Sequence, residues 1–281
     1  FTTFKLPILD EKGVSAWPER FPPEKIEALR KRAGNLKFLS QMLLKPVNLT
    51  ESRFNTSALI RYNENLIYTE TNKTASLKLG ERKLIAGCAW WDPAFGKSSK
   101  SDHSVLACVF TDESGHYFIH DVVYLKVDNA KESAASQCAQ VADILSLYHI
   151  PTLFLETNGL GKFLPELMRT EFKKRRMRCA LLEQTATRQK QIRIIEALDA
   201  PLANGALFIH RRIEQTPFIS EMKDWTPTAS VHDDGLDAVA GCLLKLGVRR
   251  DNSVSLLPTL QRPDWRFGKK PPPLSLDDII L

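Results

Sequence analysis

The sequence contains no run of 18 apolar residues, so no membrane-spanning helix is predicted and we expect no membrane partner. It also lacks paired cysteines. The five present are odd in number, form no Cys-x-x-Cys and have no histidine at zinc-ligand spacing. We therefore expect free thiols in a reducing compartment and no zinc site. The opening segment Phe1–Lys5 does not have the charged-then-apolar layout of a secretion signal.

A phosphate-binding loop is missing as well. The only Gly-Lys-Ser lies at Gly96–Ser98, and the pattern requires another glycine five residues before Gly96. Trp91 occupies that position. The chain is therefore predicted to have no ATP site and to hydrolyse no ATP.

What the sequence does contain is the composition of a globular protein. Of its 281 residues, 43% are hydrophobic and 26% are charged, which excludes a wholly disordered or collagen-like chain. A chain of this length forms one large domain or two small ones, and it buries enough apolar surface to fold without disulfides.

Positive charge is concentrated in one window. The 39 lysines and arginines exceed the 33 acids by six, and the excess falls between Arg169 and Arg193. A local basic field suits a polyanion such as DNA, and the alternative is a solvated helix face. Because Arg188 and Lys190 lie about 200° apart on a predicted helix, we expect only one of them to face DNA. The predicted contacts to DNA phosphates are Lys173, Lys174, Arg175, Arg176, Arg188, Lys190 and Arg193.

Three regions of the chain differ in pattern. Residues 1–80 mix short apolar segments with polar and turn residues, and we interpret them as an arm that packs on the main domain. Residues 81–249 combine apolar strands with amphipathic helices and form the predicted main domain. Residues 250–281 hold five prolines and no periodicity, which predicts a mobile tail.

The main domain is predicted to be α/β, with the order βββαβαβα. Two short turns connect the first three strands into an antiparallel meander, and the later alternation of helices and strands adds parallel pairs. The predicted strands cover residues 84–91, 104–110, 117–125, 151–155 and 177–182, with a small further strand over 206–209. The predicted helices cover residues 130–148, 162–173, 187–199 and 232–246, and the arm holds one over 23–33.

Acidic residues follow two of these strands and open the last helix. Asp92 comes directly after the first strand and Glu156 directly after the fourth, so neighbouring strands would place them side by side. Asp234 and Asp237 are three residues apart and share one helix face. Such a cluster has no lysine or arginine within its own motifs, and it is costly unless a divalent cation such as Mg²⁺ or Mn²⁺ neutralises it. Two such ions about 4 Å apart can activate a water and stabilise the leaving oxygen of a phosphodiester.

Each acid alone has an ordinary structural explanation. Asp92 stands before Pro93 and fits a turn, Glu156 fits a loop, and an acid near a helix start stabilises the helix dipole. The combination of all three positions favours a metal site over these separate explanations.

The three acidic motifs resemble those of a known family. Asp-Pro-Ala-x-Gly begins at Asp92, Glu-x-Asn-Gly-x-Gly at Glu156, and His-Asp-Asp-x-x-Asp-Ala at His232. Together they resemble the nuclease domain of the large terminase subunit of tailed bacteriophages, which has an RNase H-like fold related to RuvC resolvases. The resemblance covers about residues 84–247. Segments 17–21 and 38–46 also resemble the linker between the terminase motor and its nuclease.

The resemblance implies an RNase H-like mixed sheet flanked by helices, and an endonuclease that cuts concatemeric viral DNA at the start and end of genome packaging. By this resemblance Asp92, Glu156 and Asp234 hold two divalent cations, Mg²⁺ or Mn²⁺, and Asp237 matches a fourth acid. Which of Asp234 and Asp237 binds metal directly stays open. The candidates for a supporting role are His232 and Asp233.

The implied partners are double-stranded DNA, an ATPase motor domain, the portal and the small terminase subunit, in the cytoplasm of an infected bacterial host. The chain is expected to be the nuclease half of a longer protein. Two other functions stay open. A resolvase or transposase nuclease of the same fold would prefer branched or end-specific DNA. A catalytically silent module would bind DNA or dock to a motor without cutting.

Overall fold

The computed structural model describes residues 5–34, 37–45, 54–71, 74–94, 103–125, 133–157, 163–185, 189–228 and 232–247. Within these stretches, nine strands form one mixed sheet and six α-helices accompany it. The strands are β1 (Ile60–Tyr62), β2 (Leu66–Thr71), β3 (Thr74–Leu79), β4 (Arg82–Asp92), β5 (Val105–Asp112), β6 (Tyr117–Tyr124), β7 (Thr152–Glu156), β8 (Ala180–Gln184) and β9 (Leu207–His210). The helices are α1 (Pro23–Ala33), α2 (Ser133–Leu147), α3 (Phe163–Lys174), α4 (Lys190–Ala203), α5 (Phe218–Asp224) and α6 (Asp234–Leu246). Short turns of other helical types lie at Phe38–Met42, Thr56–Ala58 and Arg211–Gln215.

Strands β4, β5 and β6 form an antiparallel meander at the centre of the sheet. On one side, β7 pairs parallel with the end of β4, and β8 pairs parallel with β7. On the other side, β9 pairs parallel with β6, and β1 pairs parallel with β9. The structure confirms the predicted order of three antiparallel strands followed by parallel ones, and it confirms the α/β class with a mixed sheet flanked by helices.

The sheet is larger than the sequence predicts. The arm predicted over residues 1–80 contains three of its strands, because β1 lies at one edge and the β2–β3 hairpin pairs with the start of β4. Helix α5 is an element that the sequence does not predict. Helix α4 begins at Lys190, so the angular argument that places Arg188 on it does not apply. Arg188 and the tail over 250–281 lie outside the described residues.

Helices cover both faces of the sheet, which explains why its central strand is apolar. All eight residues of β5 are buried. Val105 and Ala107 belong to a core shared with α4 and α6, whereas Leu106 and Cys108 belong to a core shared with α2 and α3. A strand buried on both faces shows a continuous apolar run instead of alternation, as β5 does.

Two expectations drawn from composition concern cysteines and membranes. The five cysteines are free thiols, as predicted, and four of them are buried. In the part of the chain that the structure describes, no helix is both long enough and apolar enough to cross a bilayer.

Helix α6 approaches the sheet at one close contact. Gly241 lies over the indole of buried Trp90, and a Cβ at position 241 would be 2.3 Å from a ring carbon. Only glycine permits this approach. Because an α-helix is stiff over a length of 13 residues, the contact fixes the position of the acidic first turn of α6, one to two turns away.

We predict that Gly241→Ala destabilises the protein. Alanine is favoured over glycine in a helix by up to about 1 kcal/mol, but the added methyl group must displace a buried ring, and overpacking of this kind costs about 1–3 kcal/mol. The free energy of unfolding, measured by urea denaturation, is expected to fall by about 1–2 kcal/mol. Gly247→Ala is the control, because an added Cβ there has its nearest neighbour at 3.6 Å. A Gly241→Ala protein as stable as the unmodified chain would contradict the close contact.

Candidate metal centre

The first two carboxylates stand at the ends of neighbouring parallel strands. β4 and β7 are paired in register up to Trp91 and Leu155, so Asp92 and Glu156 are the next residue on each strand. The sequence predicts this side-by-side placement. Side chains alternate along a strand, and both acids are therefore on the same face as Trp90, which α4 and α6 cover.

Helix α6 brings its own acids to this edge of the sheet. Asp234 and Asp237 lie in its first turn, and both are buried, with 3% and 2% of their surface exposed. Negative charge is favourable there because the first backbone N–H groups of a helix have no intrahelical partner. The carboxylate of Glu221 accepts a hydrogen bond from the N–H of Gly235 at 3.0 Å. Helix α5, which carries Glu221, therefore supports the start of α6.

Three carboxylates meet between the two strands and the helix. Asp92, Glu156 and Asp237 each offer an oxygen, and these oxygens all lie within 4.8 Å of one another. Donor sets made only of carboxylate oxygens suit hard divalent cations. Of the two last-motif acids, the structure therefore brings Asp237 to the other two, whereas Asp234 contacts a different set of residues.

Arg193 is the cation at the centre of this cluster. The sequence predicts it as a surface contact to DNA, but the residue is only 8% exposed and its guanidinium binds inside the protein. Its Nε donates to Asp237 Oδ1 at 2.7 Å, and a second nitrogen hydrogen-bonds to the other oxygen of Asp237 and lies 3.5 Å from Glu156 Oε2. The structure corrects the predicted placement, because Arg193 bridges two acids of the cluster instead of facing solvent.

Lys190, one turn before Arg193 on α4, is the second counter-ion. Its Nζ lies 2.6 Å from Asp233 Oδ1, 3.2 Å from Asp234 Oδ1 and 3.9 Å from Asp237 Oδ2. Its side chain is 31% exposed, so it borders solvent as well as the acids. The cluster thus takes its cations from a helix outside its own motifs. The sequence does contain a signal for this pairing. Lys190 and Arg193 are three residues apart, which places both on one face of the helix.

The charges of this group do not cancel. Five carboxylates face two cations, which leaves a formal excess of three negative charges. One divalent cation would leave an excess of one, so the donor set fits at least one such ion. The acids are Asp92, Glu156, Asp233, Asp234 and Asp237, and the cations are Lys190 and Arg193.

The crowding of negative charge changes the titration of the cluster. Burial, followed by the charges of Glu156 and Asp237, raises the pKa of Asp92 to about 7. Burial also raises the pKa of Glu156, although the charge of Arg193 opposes the change. Burial alone would lower the pKa of Lys190, but its hydrogen bond and the surrounding acids outweigh that effect and raise it. Without a cation, the cluster therefore takes up a proton near neutral pH.

Among the described residues, the other predicted DNA contacts, residues 173–176, lie at the end of α3 and just after it, and two of them are already paired. Lys174 Nζ lies 2.7 Å from Glu171 Oε1. Arg175 forms ion pairs with Glu171 and, at 3.1 Å, with Asp143. Both cations are therefore partly neutralised by their neighbours.

Lys173 and Arg176 are exposed and, among the described residues, have no carboxylate within 4 Å. They line an open cavity of about 640 Å³ between the end of α3 and the start of β8. Ala180 pairs with Thr152 at the other end of β7, and Phe172 and Leu181 of the cavity belong to the core on the α2 and α3 face, so the cavity and the acids lie on opposite faces of the sheet. The basic side chains of the cavity are Arg169, Lys173, Arg176 and Arg178.

His103 is a further neighbour of the centre. Its backbone N–H donates to Asp234 Oδ2 at 2.9 Å, and its ring centroid lies 5.2 Å from that of His232. The two segments are 131 residues apart in sequence, so only the fold brings them together. His232 and Asp233, predicted as supporting residues, both lie beside Asp234 at the start of α6.

The fold and the site together define a mixed α/β protein with a carboxylate-rich centre at one edge of its sheet. No protein-family model and no curated protein matches the chain. Among solved structures, it is similar to the human cytomegalovirus terminase nuclease domain, at 14% identity and a TM-score of 0.44, over 60% of this chain and 86% of that one.

Two further solved structures are similar in fold. The yeast mitochondrial Holliday junction resolvase is 11% identical with a TM-score of 0.36, over 58% of this chain and 77% of that one. T. thermophilus RuvC in complex with a Holliday junction substrate is 14% identical with a TM-score of 0.30, over 58% and 97%.

We predict that the metal-free protein loses stability as pH rises. Asp92 has a pKa of about 7 when folded and an ordinary value of 3.8 when unfolded. Between these values the folded state binds more protons, so the free energy of unfolding falls with rising pH and levels off above pH 7. A pKa difference of about three between the folded and unfolded states lowers the free energy of unfolding by at most about 4 kcal/mol.

Asp92→Asn removes this titration. In EDTA above pH 7, we therefore expect the variant to melt at a higher temperature than the unmodified protein, and the two melting temperatures to converge as pH falls toward 4. Asp224→Asn, at an exposed position at the end of α5, is the control. Parallel pH profiles for the unmodified chain and Asp92→Asn would show that Asp92 is not under electrostatic strain.

Proposed function

We propose that this chain is a metal-dependent endonuclease of the RNase H-like superfamily that hydrolyses phosphodiester bonds in DNA. The observation that carries the proposal is the meeting of oxygens from Asp92, Glu156 and Asp237 within 4.8 Å of one another, in a group with excess negative charge. A Mg²⁺ or Mn²⁺ ion bound by these oxygens supplies Lewis-acid polarisation of a phosphate and a more acidic water.

In this proposal, the acidic and basic residues of the centre have different roles. Asp92, Glu156 and Asp237 hold the cation, and Arg193 fixes the orientation of Asp237 through two hydrogen bonds. Lys190 keeps its ammonium at the solvent side of the acids, where it reduces the repulsion that a phosphate meets on approach. Positioning of this kind accounts for much of the rate of phosphoryl transfer, because the protein itself supplies little covalent chemistry.

The basic cavity lies on the α3 face of the sheet, so a duplex bound at the acidic centre would reach it by passing the edge strand β8. Lys173 and Arg176 are exposed cations at this cavity and would contact phosphates without reading bases. Arg188 remains a predicted contact from the sequence alone.

Within this class, the sequence motifs favour an enzyme of viral genome packaging that cuts concatemeric DNA at initiation and termination. In that role its partners would be an ATPase motor domain, the portal and the small terminase subunit, in the cytoplasm of an infected bacterial host. Two divalent cations would serve the reaction, as in the family that the motifs resemble. A resolvase of the same fold is the alternative, and it would cut four-way junctions in preference to linear duplex.

We predict cleavage of supercoiled plasmid with Mg²⁺ or Mn²⁺ and none in EDTA. Asp92→Asn, Glu156→Gln and Asp237→Asn should each lower the rate at least about a hundredfold, because each removes a ligand of the cation. Asp224→Asn, outside the cluster, should cut at the unmodified rate. Gel quantification of nicked and linear product over time provides the measurement.

Several outcomes of this assay would redirect the proposal. Cleavage that survives EDTA, or an Asp92→Asn protein with full activity, would exclude the assigned centre. Binding of DNA without any cleavage would favour the silent module. A strong preference for a four-way junction over duplex of the same sequence would favour the resolvase.

We predict that Lys173→Gln and Arg176→Gln each weaken binding to duplex DNA uniformly across sequences. Each should also reduce the slope of log K against log salt by about 1, since each removes one phosphate contact. Lys174→Gln is a matched control on the same helix, because its charge is already paired with Glu171. Fluorescence anisotropy at several salt concentrations measures the slope, and equal effects from all three variants would point to a diffuse field instead of specific contacts.

A further inference from the structure

We propose that His103, His232 and Asp234 form a second metal site, separate from the carboxylate cluster and selective for a transition-metal dication. One ligand atom from each of the three residues lies within 4.8 Å of the other two. None of these three residues belongs to the carboxylate cluster of Asp92, Glu156 and Asp237, whose ligand atoms also lie within 4.8 Å of one another.

The three residues converge from two parts of the chain. His103 lies just before β5, His232 just before α6, and Asp234 in the first turn of α6. The two imidazole centroids are 5.2 Å apart, and His103 Nδ1 lies 3.8 Å from Asp234 Oδ2. Two ligand atoms bound to one tetrahedral ion at about 2.1 Å are about 3.4 Å apart, so a shift of a few tenths of an ångström brings this pair to coordination distance.

The carboxylate of this site is already held in place. Asp234 Oδ2 accepts a hydrogen bond from the backbone N–H of His103, and Lys190 Nζ lies 3.2 Å from Oδ1. Metal-binding carboxylates are commonly oriented by such outer hydrogen bonds. Asp234 therefore needs no rearrangement to serve as a ligand, and the position of the backbone of His103 is tied to it.

The site opens to solvent on its histidine side. The side chain of His103 is 48% exposed and His232 is exposed, whereas Asp234 is buried. Three protein ligands and an open side leave room for water or for an atom of another molecule, which is the arrangement of reactive rather than structural zinc-type sites.

The donor atoms decide which ion the site prefers. Imidazole nitrogen suits transition-metal dications such as Co²⁺, Ni²⁺ and Zn²⁺, whereas Mg²⁺ and Mn²⁺ prefer oxygen ligands. The carboxylate cluster offers oxygen alone, so the two neighbouring sites differ in selectivity. This assignment does not depend on the proposed nuclease activity, because it rests on the donor set of His103, His232 and Asp234.

Titration with Co²⁺ tests the site directly, because visible absorption of Co²⁺ reports nitrogen ligation and calorimetry reports the affinity. We expect His103→Gln and His232→Gln each to weaken Co²⁺ binding at least tenfold and to reduce the absorption band. Both rings are exposed, so these variants keep the core intact. His116→Gln is the matched control. His116 Nδ1 also lies 2.9 Å from a carboxylate oxygen, Asp112 Oδ2, but His116 belongs to neither group of potential metal ligands among the described residues.

Asp92→Asn separates the two sites. It should retain the Co²⁺ band that depends on the histidines, and Mg²⁺ binding should be unchanged in His103→Gln and His232→Gln. Identical Co²⁺ isotherms for the unmodified chain and both histidine variants would overturn the proposal, as would loss of the band in Asp92→Asn. Absence of DNA cleavage together with histidine-dependent Co²⁺ binding would reject the proposed nuclease and leave this site in place.

Discussion

Repulsion among buried carboxylates is the constraint on which the rest of the structure depends. The strand ends and the first turn of α6 bring acids together at one edge of the sheet, and the fold tolerates them because α4 supplies two cations. Arg193 is the more important of the two, since it is buried and joins Glu156 to Asp237. A buried arginine of this kind stabilises its site chiefly because its removal would leave unpaired charges. The remaining negative excess is what a divalent ion in the proposed site would neutralise.

The same ion pairs tie the layers of the fold together. Asp92 and Glu156 belong to the sheet, Asp237 to α6, and the cations to α4, so one electrostatic group spans three elements. Hydrophobic contacts beneath it include Trp90, which stacks on Phe154 at a centroid distance of 5.9 Å. The apolar core therefore sets the distances between the backbones of these elements, and those distances determine how far apart the charged side chains lie. Precision in the site follows from rigid elements and not from loops.

The central part of the fold and the acids could be predicted from local patterns. The strands that end at Asp92 and Glu156 are apolar runs of the right length, and an acid after each run is visible in the sequence. The ion pairs could not be predicted, because Arg193 meets Asp237 across 44 residues and its charge alone suggests a surface role. Strands β1 to β3 escaped prediction because they are only three to six residues long and many of their residues are exposed. The contact between His103 and Asp234 could not be predicted, because only the tertiary structure brings together residues 131 positions apart.

The contact between Gly241 and Trp90 has a consequence for how this chain can vary. The indole also lies beneath the guanidinium of Arg193, 5.8 Å from its central carbon. A larger residue at 241 would need a smaller ring at 90, and a smaller ring would remove the support under Arg193. The three positions are therefore coupled through packing, because a change at any one of them alters the contacts of the other two. Variation among descendants of this sequence should therefore be correlated at positions 90, 193 and 241, even though no two of the three are adjacent in the chain.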